Sequence, residues 1–285
     1  MIIDLLVGVL LLTLIGFFLG LFLSFISNIF TIKIDPVVEK ITELLPGVNC
    51  GACGYPGCAG YADALSKNTN IEINLCSPGG KSLVEKLNLL LGKNSDFSDK
   101  IVAKVFCMGD DAIASKDYDF NGEDDCLTMS NFFQGEKTCK YSCEGKGDCI
   151  KVCPVEAIKR DSLNRVWIDS SICVGCKRCV SVCPKNIIKM VPVNGGHFVA
   201  CSSHNDGKTV REICKKGCIA CKICEKITGD PTRIVVINNL AEIKYTNTVD
   251  LKNAAIKCPT SVIIPIIDQK VFVLDTLNKD LQKKV

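Results

Sequence analysis

The clearest hydrophobic pattern in the sequence is an uninterrupted apolar run near the N-terminus. Residues Leu5–Phe30 carry no charge and lie between Asp4 and Lys33. Because about 20 apolar residues cross a bilayer as a helix, this run predicts a transmembrane anchor. A cleaved signal peptide would need a basic start, a shorter apolar stretch and a small-residue cleavage site, and this pattern lacks all three. Lys33 and Lys40 follow the run, which favours a cytoplasmic position for the rest of the chain.

Beyond the anchor, the alternation of apolar and polar positions predicts short elements. Helices are predicted over 35–45, 59–67 and 81–91, the first with Asp35 as its N-cap and Pro36 at its first position. Strands are predicted over residues 101–106, 195–201, 229–237 and 262–274. Pro265 interrupts the last strand and predicts an edge position or a break there. A polar, lysine-rich tail over 276–285 ends the pattern.

Cysteine spacing changes this picture most, since the chain has 20 cysteines among 285 residues. Residues 173–184 read C-V-G-C-K-R-C-V-S-V-C-P, and residues 139–154 give a looser version, C-x3-C-x5-C-x3-C-P. In two-cluster ferredoxins, three cysteines of one repeat and the Cys-Pro cysteine of the other bind each cluster. The repeats therefore predict two [4Fe-4S] sites. Their predicted ligands are Cys139, Cys143, Cys149 and Cys183 at one site, and Cys153, Cys173, Cys176 and Cys179 at the other.

Two more groups of four cysteines flank these repeats. The first has the spacing C-x2-C-x4-C-x17-C with glycines between the cysteines, and it predicts a separate one-cluster site with Cys50, Cys53, Cys58 and Cys76. The second belongs to a further ferredoxin-like repeat and consists of Cys218, Cys221, Cys224 and Cys258. The other ligand positions of that repeat hold Thr228, Thr248, Leu251 and Ala254. We therefore expect this unit to keep one cluster and to fill its other site with side chains such as Leu251 and Ala254.

Four cysteines remain outside these groups, two on each side of the central repeats: Cys107, Cys126, Cys201 and Cys214. We hypothesise that they bind a fifth [4Fe-4S] cluster. The alternative is four buried free thiols, because cysteine packs well as a small hydrophobic residue. Iron analysis separates the two, since five clusters hold about 20 irons and four hold about 16.

Other chemistries fit the cysteine pattern less well. Zinc sites use C-x2-C pairs rather than repeated quartets that end in Cys-Pro. Cysteines so close in sequence are poor disulfide partners, and no C-x-x-C-H motif for haem attachment occurs. The chain has 2 histidines, His197 and His204, which we interpret as hydrogen-bonded loop residues. We predict no residue that acts as acid, base or nucleophile.

Charge is small overall but uneven. The formal net charge is +3, yet residues 137–226 hold 17 lysines and arginines against 8 acidic residues. This excess predicts a docking surface for an acidic redox protein. Nucleic acid fits less well, because the lysines alternate with ligand cysteines and few aromatic residues are available for stacking. We interpret the acidic stretch 96–125 as solvated surface. Basic residues beside ligand cysteines are expected to favour the reduced state of a cluster: Lys177, Arg178, Lys215, Lys216 and Lys222.

In order along the chain, the motifs are the anchor, C-G-A-C-G-Y-P-G-C, C-x3-C-x5-C-x3-C-P, C-V-G-C-K-R-C and C-S-S-H-x-x-G-K. This ordered set resembles the B subunit of the Rnf (or Rsx) ion-translocating electron-transport complex over essentially the whole chain, in a long form with a second ferredoxin unit. The resemblance implies a membrane complex that exchanges electrons between ferredoxin and NAD and couples this to Na⁺ or H⁺ movement. It also implies that this chain meets soluble ferredoxin at the cytoplasmic face of the inner membrane. Flavin and NADH chemistry would belong to other subunits, which agrees with the lack of G-x-G-x-x-G and P-loop motifs here.

We therefore expect an α+β protein with one transmembrane helix, a small one-cluster domain and ferredoxin-like units, carrying four or five [4Fe-4S] clusters, with five preferred. The expected domains are 1–32 (anchor), 33–95 (one cluster), 96–200 (two clusters), 201–275 (one cluster) and 276–285 (tail). Two alternatives remain at this point. One is a tethered polyferredoxin subunit of another anaerobic oxidoreductase without ion transport, and the other is a structural zinc-binding interaction protein.

Overall fold

The computed structural model describes residues 2–29, 35–68, 70–96, 100–245 and 251–266. Several predictions fall outside these described residues. They concern Lys33, Thr248, the predicted strand beyond residue 266 and the tail over 276–285.

The N-terminal apolar run forms one long helix, α1 (Ile2–Ile29). Its segment Ile3–Ser27 has a mean hydropathy of 2.8 in its most apolar window, which makes it long and apolar enough to cross a membrane. Large apolar side chains along it are exposed, for example Leu12 and Phe18. An apolar helix without a protein core around it agrees with the predicted anchor.

A small helical unit follows, made of α2 (Pro36–Leu44), α3 (Gly57–Lys67) and α4 (Gly80–Leu91). Asp35 caps α2 as predicted, because its Oδ1 accepts a hydrogen bond of 2.9 Å from the N–H of Val37. The three helices pack around their own apolar cluster, which includes Ile41, Tyr61 and Leu87. The cysteine loop 50–58 is thus held by a core of its own.

The rest of the chain contains two ferredoxin-like units with the same order of elements. In the first, β1 (Ile101–Val105) pairs antiparallel with β4 (Ile188–Pro192), and β2 (Ile158–Arg160) pairs with β3 (Val166–Ile168). In the second, β5 (His197–Val199) pairs with β8 (Ile263–Pro265), and β6 (Ile234–Ile237) pairs with β7 (Leu240–Ile243). Each unit thus has an outer strand pair and an inner hairpin, and the predicted α+β class is confirmed.

Short helices connect these strands. They are α5 (Cys126–Asn131), α6 (Asp148–Lys151), α7 (Arg178–Val182), α8 (Gly207–Ile213), α9 (Ile223–Thr228) and α10 (Lys252–Ile256). Each hairpin is flanked by two of them, with α6 and α7 in the first unit and α9 and α10 in the second. The repeat of helix, hairpin, helix and strand is what a duplicated cysteine motif predicts. Helices α6, α7 and α9 start next to a cysteine, whereas α10 starts next to Leu251, at a lost ligand position.

Two predictions differ from the structure in detail, and the prediction about Pro265 agrees with it. Strand β6 begins at Ile234 rather than Gly229, because Gly229 has a left-handed φ of 64° and the Arg233 N–H closes a turn onto Asp230. Pro265 is the last residue of β8, as expected of a residue without an N–H. His197 is not a loop residue: it is buried in β5, opposite Pro265.

One continuous core joins the two units, and it includes Val102, Ile188, Phe198 and Ile264. The rings of Phe106 and Phe198 lie 5.2 Å apart across the boundary between the units. Leu251 and Ala254, at two of the lost ligand positions, are 1% and 2% exposed in this core. That agrees with the expectation that apolar side chains fill the lost site.

Candidate iron–sulfur sites

The first group of thiols, which we name site 1, contains Cys50, Cys53, Cys58 and Cys76, and these residues line one cavity. Glycines shape the loop: Gly57 has a φ of 81°, and a Cβ there would lie 2.8 Å from the Asn49 Oδ1. That oxygen accepts a hydrogen bond of 2.8 Å from the N–H of Cys58. Asn49 therefore positions a candidate ligand, a role that the cysteine spacing did not indicate.

Site 2 contains Cys153, Cys173, Cys176 and Cys179, the group predicted from the regular repeat. Burial raises the pKa of the Cys179 thiol to about 12, and the thiols of Cys153, Cys173 and Cys176 raise it as well. Backbone donors approach two of the sulfurs. The Ala103 N–H lies 3.4 Å from the Cys173 Sγ, and the Ala157 N–H lies 3.3 Å from the Cys153 Sγ.

Sites 3 and 4 differ from the prediction. The cavity of site 3 is lined by Cys126, Cys143, Cys149 and Cys183. The cavity of site 4 is lined by Cys107, Cys139, Cys201 and Cys214. The structure thus brings all eight cysteines into two groups of four, but Cys126 and Cys139 have exchanged places relative to the predicted groups.

The loose spacing of the first repeat explains this exchange. A regular repeat would place a cysteine at position 146, where the sequence has Lys146. Cys126 supplies the missing thiol from the start of α5, and its N–H donates a hydrogen bond of 2.9 Å to Asp148 at the start of α6. The Lys146 Nζ lies 3.0 Å from the Asp124 Oδ1 and ties the same two segments together. Sequence spacing missed this arrangement because the two segments meet only through tertiary contacts.

Cys139 is free to join site 4, and there the two ferredoxin-like units contribute equally. Each gives the cysteine that follows its first strand, Cys107 or Cys201, and the cysteine of a C-x3-C pair, Cys139 or Cys214. The hydrogen bonds repeat as well. The Gly109 N–H lies 3.3 Å from the Cys107 Sγ, and the Ser203 N–H lies 3.4 Å from the Cys201 Sγ. The matching C-x3-C spacing at 139–143 and 214–218 is a signal that could have predicted this group.

Site 5 contains Cys218, Cys221, Cys224 and Cys258, which line a cavity together with Ile219 and Val262. These are the four cysteines predicted from the incomplete repeat. Cys221 is exposed, whereas the other cysteines of the described chain are buried or half-buried. Site 5 is thus the site with the most accessible thiol.

Consecutive sites contact one another at four junctions. Between sites 1 and 2, the Arg178 Nε donates to the Cys50 carbonyl at 3.3 Å, and Cys50 is among the groups that, after burial, raise the pKa of the Cys176 thiol. Between sites 2 and 3, helix α6, which carries Cys149, packs against helix α7, which carries Cys179. Burial raises the pKa of the Cys149 thiol to about 12, and the nearby Cys179 thiol raises it further.

The next two junctions are direct hydrogen bonds. The Cys143 N–H of site 3 lies 3.4 Å from the Cys107 Sγ of site 4. The Cys218 N–H of site 5 lies 3.3 Å from the Cys201 Sγ of site 4. The five sites therefore form one row, in the order 1, 2, 3, 4, 5.

The chemistry of these thiols fits an iron–sulfur group. Burial raises the pKa of the thiols of Cys76, Cys214 and Cys224 to about 11 and that of Cys201 to about 12, so thiolates need a nearby cation. Backbone N–H groups at 3.3 to 3.4 Å from four sulfurs would stabilise such thiolates. Among the described residues, no three His, Cys, Asp or Glu side chains converge on a point that would hold a single ion. Four thiols around a cavity favour a larger inorganic core over one zinc ion.

Two buried lysines lie beside the row, and the sequence analysis missed both. The Lys137 Nζ donates to the carbonyl oxygens of Cys143 (2.7 Å) and Gly109 (3.1 Å), between sites 3 and 4. The Lys104 Nζ donates to the Ile168 carbonyl at 3.0 Å, and burial lowers the pKa of Lys104 to about 8 while the nearby Cys173 thiol opposes this shift. A lysine inside the apolar strand Ile101–Val105 was the visible signal.

The five basic residues that the sequence placed beside ligand cysteines have different positions in the structure. Lys177, Lys215 and Lys222 are exposed, and Lys216 lines site 4. Arg178 joins sites 1 and 2 and is not a free surface charge. The Nδ1 of the exposed His204 bonds the Asn238 carbonyl oxygen at 2.8 Å.

Two family models match parts of the chain. A model for an Fe-S cluster matches residues 45–78, which contain all four thiols of site 1. A model for the LdpA Fe-S cluster-binding domain matches residues 139–193, which contain all of site 2 and three thiols of site 3. The chain therefore carries iron–sulfur cluster-binding sequence in both regions.

Curated relatives extend the similarity over most of the chain. The chain is 36% identical to the B subunit of the proton-translocating ferredoxin:NAD(+) oxidoreductase complex of Clostridium ljungdahlii, with 90% of both chains covered. It is 32% identical to the B subunit of the ion-translocating oxidoreductase complex of Methanosarcina acetivorans, over 87% of this chain and 93% of that relative. It is 35% identical to the B subunit of the Na(+)-translocating ferredoxin:NAD(+) oxidoreductase complex of Acetobacterium woodii, over 87% of this chain and 74% of that relative.

Proposed function

Because this chain belongs to the family of B subunits of ion-translocating ferredoxin:NAD(+) oxidoreductase complexes, we propose that it relays single electrons between soluble ferredoxin and the membrane subunits of such a complex. One observation carries this proposal: five groups of four thiols form an unbroken row through the described chain. A row of redox sites in contact is what transfer over a long distance needs. No residue of the chain is assigned a role as acid, base or nucleophile.

Each of the five sites is proposed to hold a [4Fe-4S] cluster through its four cysteine thiolates. A bound cluster supplies one-electron oxidation and reduction at its site. The residues around it set how readily an electron is accepted. Backbone N–H groups beside the sulfurs of Cys107, Cys173 and Cys201 stabilise added negative charge, and so do the buried ammonium groups of Lys104 and Lys137.

The two ends of the row suit different partners. Site 1 belongs to the helical unit that follows the apolar helix α1 directly in the sequence, so it is the site for exchange with membrane subunits. Site 5 has the exposed Cys221, and the exposed Lys222, Lys226 and Lys257 lie close to its ligands in sequence. Basic charge around an accessible site suits an acidic carrier such as ferredoxin. The thiol sites are proposed to lie on the cytoplasmic side, which Lys40 favours.

The test is reduction of the full-length chain, purified in detergent without oxygen. We expect about 20 irons per chain and rapid bleaching of the visible absorption when reduced ferredoxin is added. Iron-free protein, or iron-loaded protein that reduced ferredoxin cannot reduce, would overturn the proposal.

Coupling to ion movement is proposed for the complex as a whole, as the names of the relatives indicate. In sealed vesicles that contain the complex, ferredoxin-dependent reduction of NAD should build an ion gradient. An ionophore should accelerate the reaction, because it removes the gradient that opposes it. A reaction rate that ionophores for Na⁺ and H⁺ leave unchanged would argue for a tethered polyferredoxin without ion transport.

A further inference from the structure

A cluster of exposed aromatic and apolar side chains lies in residues 108–138 of the first ferredoxin-like unit, a segment that is much longer than its counterpart in the second unit, residues 202–213. Phe133 is 90% exposed, Leu127 is 58% exposed and Phe132 is 53% exposed. We name these three residues, with Asp119 and Glu123, the Phe133 face. Several large apolar side chains exposed together on a soluble domain mark an interaction site, because isolated exposure is the ordinary case.

Contacts within the segment orient the Phe133 face. Phe133 has a left-handed φ of 48°, which is unusual for a bulky residue and stores backbone strain. Its ring meets the ring of Tyr118 edge to face at 6.3 Å, and the Tyr118 hydroxyl donates to the Phe132 carbonyl at 2.7 Å. The Phe132 ring lies 5.6 Å from the ring of Phe120. The tip of this face is therefore an aromatic side chain on a strained backbone, exposed to solvent and contacted by a neighbouring ring.

The border of this face is acidic, with the exposed carboxylates of Asp117, Asp119 and Glu123, whereas the exposed Asp124 is paired with the Lys146 Nζ at 3.0 Å. Two lysines belong to the segment, and Lys137 is buried. The other, Lys116, lies 2.9 Å from Glu136 and 3.6 Å from Asp111, so its charge is already matched. Apolar residues bordered by negative charge do not suit an anionic lipid surface, which attracts lysine and arginine. They suit a protein surface with basic residues around an apolar pocket.

The face also lies next to the middle of the thiol row. Helix α5 starts at Cys126, a thiol of site 3, and ends immediately before Phe132. The Lys185 Nζ bonds the Gln134 carbonyl, and Lys185 lines the cavity of site 3. Only the short helix α5 would therefore separate a partner on this face from Cys126 of site 3.

We propose that the Phe133 face docks a neighbouring protein of the same complex, which offers an apolar pocket surrounded by lysines and arginines. This replaces our interpretation of the acidic stretch as merely solvated surface. This proposal rests on the proposed function only in that the chain belongs to a complex, and it does not depend on the number of clusters. The iron content of each variant therefore separates a failure of the docking proposal from a failure of the proposed electron relay.

The experiment places the photo-crosslinking residue p-benzoylphenylalanine at position 133 of the full chain, in membranes that contain the whole complex. Position 89 is the matched control, since Leu89 is 87% exposed on a different unit. We expect a crosslink from position 133 to one other protein of the complex, mapped to a basic and apolar segment. Phe133→Ser should lower retention of that protein on affinity purification about tenfold at raised salt, whereas Leu89→Ser should not.

Charge reversal gives an independent measurement. Asp119→Lys together with Glu123→Lys should lower the crosslink yield from position 133 while the iron content of the chain stays unchanged. The proposal is overturned if position 133 crosslinks no more than position 89, if it reaches only lipid or a second copy of this chain, or if charge reversal leaves the yield unchanged.

Discussion

The two ferredoxin-like units share one order of elements but differ in how many thiol groups they keep. The first unit keeps both groups, sites 2 and 3, whereas the second keeps site 5 and buries Leu251 and Ala254 at positions equivalent to Cys176 and Cys179. In the first unit, site 2 joins site 1, because Arg178 beside Cys176 bonds the Cys50 carbonyl. In the second unit, the lost site would have no described site beyond it to join. Loss of this group therefore leaves the row from site 1 to site 5 intact.

The difference also shows what the fold needs from a cluster site. The second unit has non-cysteine residues at all four ligand positions of the lost group. Apolar residues such as Leu251 and Ala254 can fill such a site, because a buried cysteine without iron packs as a small hydrophobic side chain too. A group that kept only some of its cysteines would not supply the four ligands of a [4Fe-4S] cluster. The first unit keeps site 3 complete by recruiting Cys126 from α5, since position 146 is a lysine.

The largest expected effect comes from single cysteine substitutions that test this grouping. Cys126→Ser and Cys183→Ser should each disturb the same cluster signal in electron paramagnetic resonance, and Cys139→Ser should disturb the signal that Cys214→Ser disturbs. Each variant should lose up to about four irons. If Cys139→Ser shared its change with Cys183→Ser, the originally predicted grouping would be right and the structural one wrong.

A sharper test moves the fourth thiol of site 3 from position 126 back to position 146. Lys146→Cys restores the regular C-x2-C-x2-C spacing of the first repeat. Combined with Cys126→Ser, it should restore the iron content that Cys126→Ser alone loses. The matched control is Lys151→Cys, an exposed lysine outside the ligand positions, which should restore nothing.

Sequence reasoning predicted much of this molecule for identifiable reasons. The uncharged run predicted α1, the Asp35-Pro36 pair predicted the start of α2, and regular cysteine spacing predicted the thiols of sites 1, 2 and 5. These features depend on neighbours in sequence. The pairing of Cys126 with site 3 depends on contacts between separate segments, as do the buried positions of Lys104 and Lys137, and spacing holds no information on those.

The filled site of the second unit provides the next prediction. Leu251 is fully buried in the shared core, so Leu251→Ala should lower the free energy of unfolding by about 2–5 kcal/mol. Iron content should not change, because no cluster occupies that position. Chemical denaturation without oxygen measures the first quantity and metal analysis the second. Ile256→Ala is the control, since Ile256 is 77% exposed at the end of helix α10, which begins immediately after Leu251. A loss of about four irons from Leu251→Ala would show that the site is not simply filled.

Substitution of the buried lysines should have a smaller effect. It should shift the reduction potential of a site without loss of iron. Lys137→Met removes a positive charge between sites 3 and 4, so the signals of those sites should move to more negative potential. Lys104→Met should instead move the signal of site 2, since Lys104 lies near Cys173. Potentiometric titration followed by electron paramagnetic resonance separates the two. The same shift in both variants, or a shift at site 5, would mean that these charges do not act locally.

The smallest expected effect concerns the junction that distinguishes the first unit from the second. Arg178→Gln removes the hydrogen bond from Arg178 to the Cys50 carbonyl, whereas Lys177→Gln removes an exposed charge one residue away. An exposed hydrogen bond contributes about 0.5–1.5 kcal/mol, so Arg178→Gln should leave iron content and stability nearly unchanged. It should nevertheless slow electron transfer from site 2 to site 1, measured by rapid-freeze spectroscopy after reduction by ferredoxin. Equal rates in the two variants would mean that packing of the helical unit, and not this contact, holds the start of the row in place.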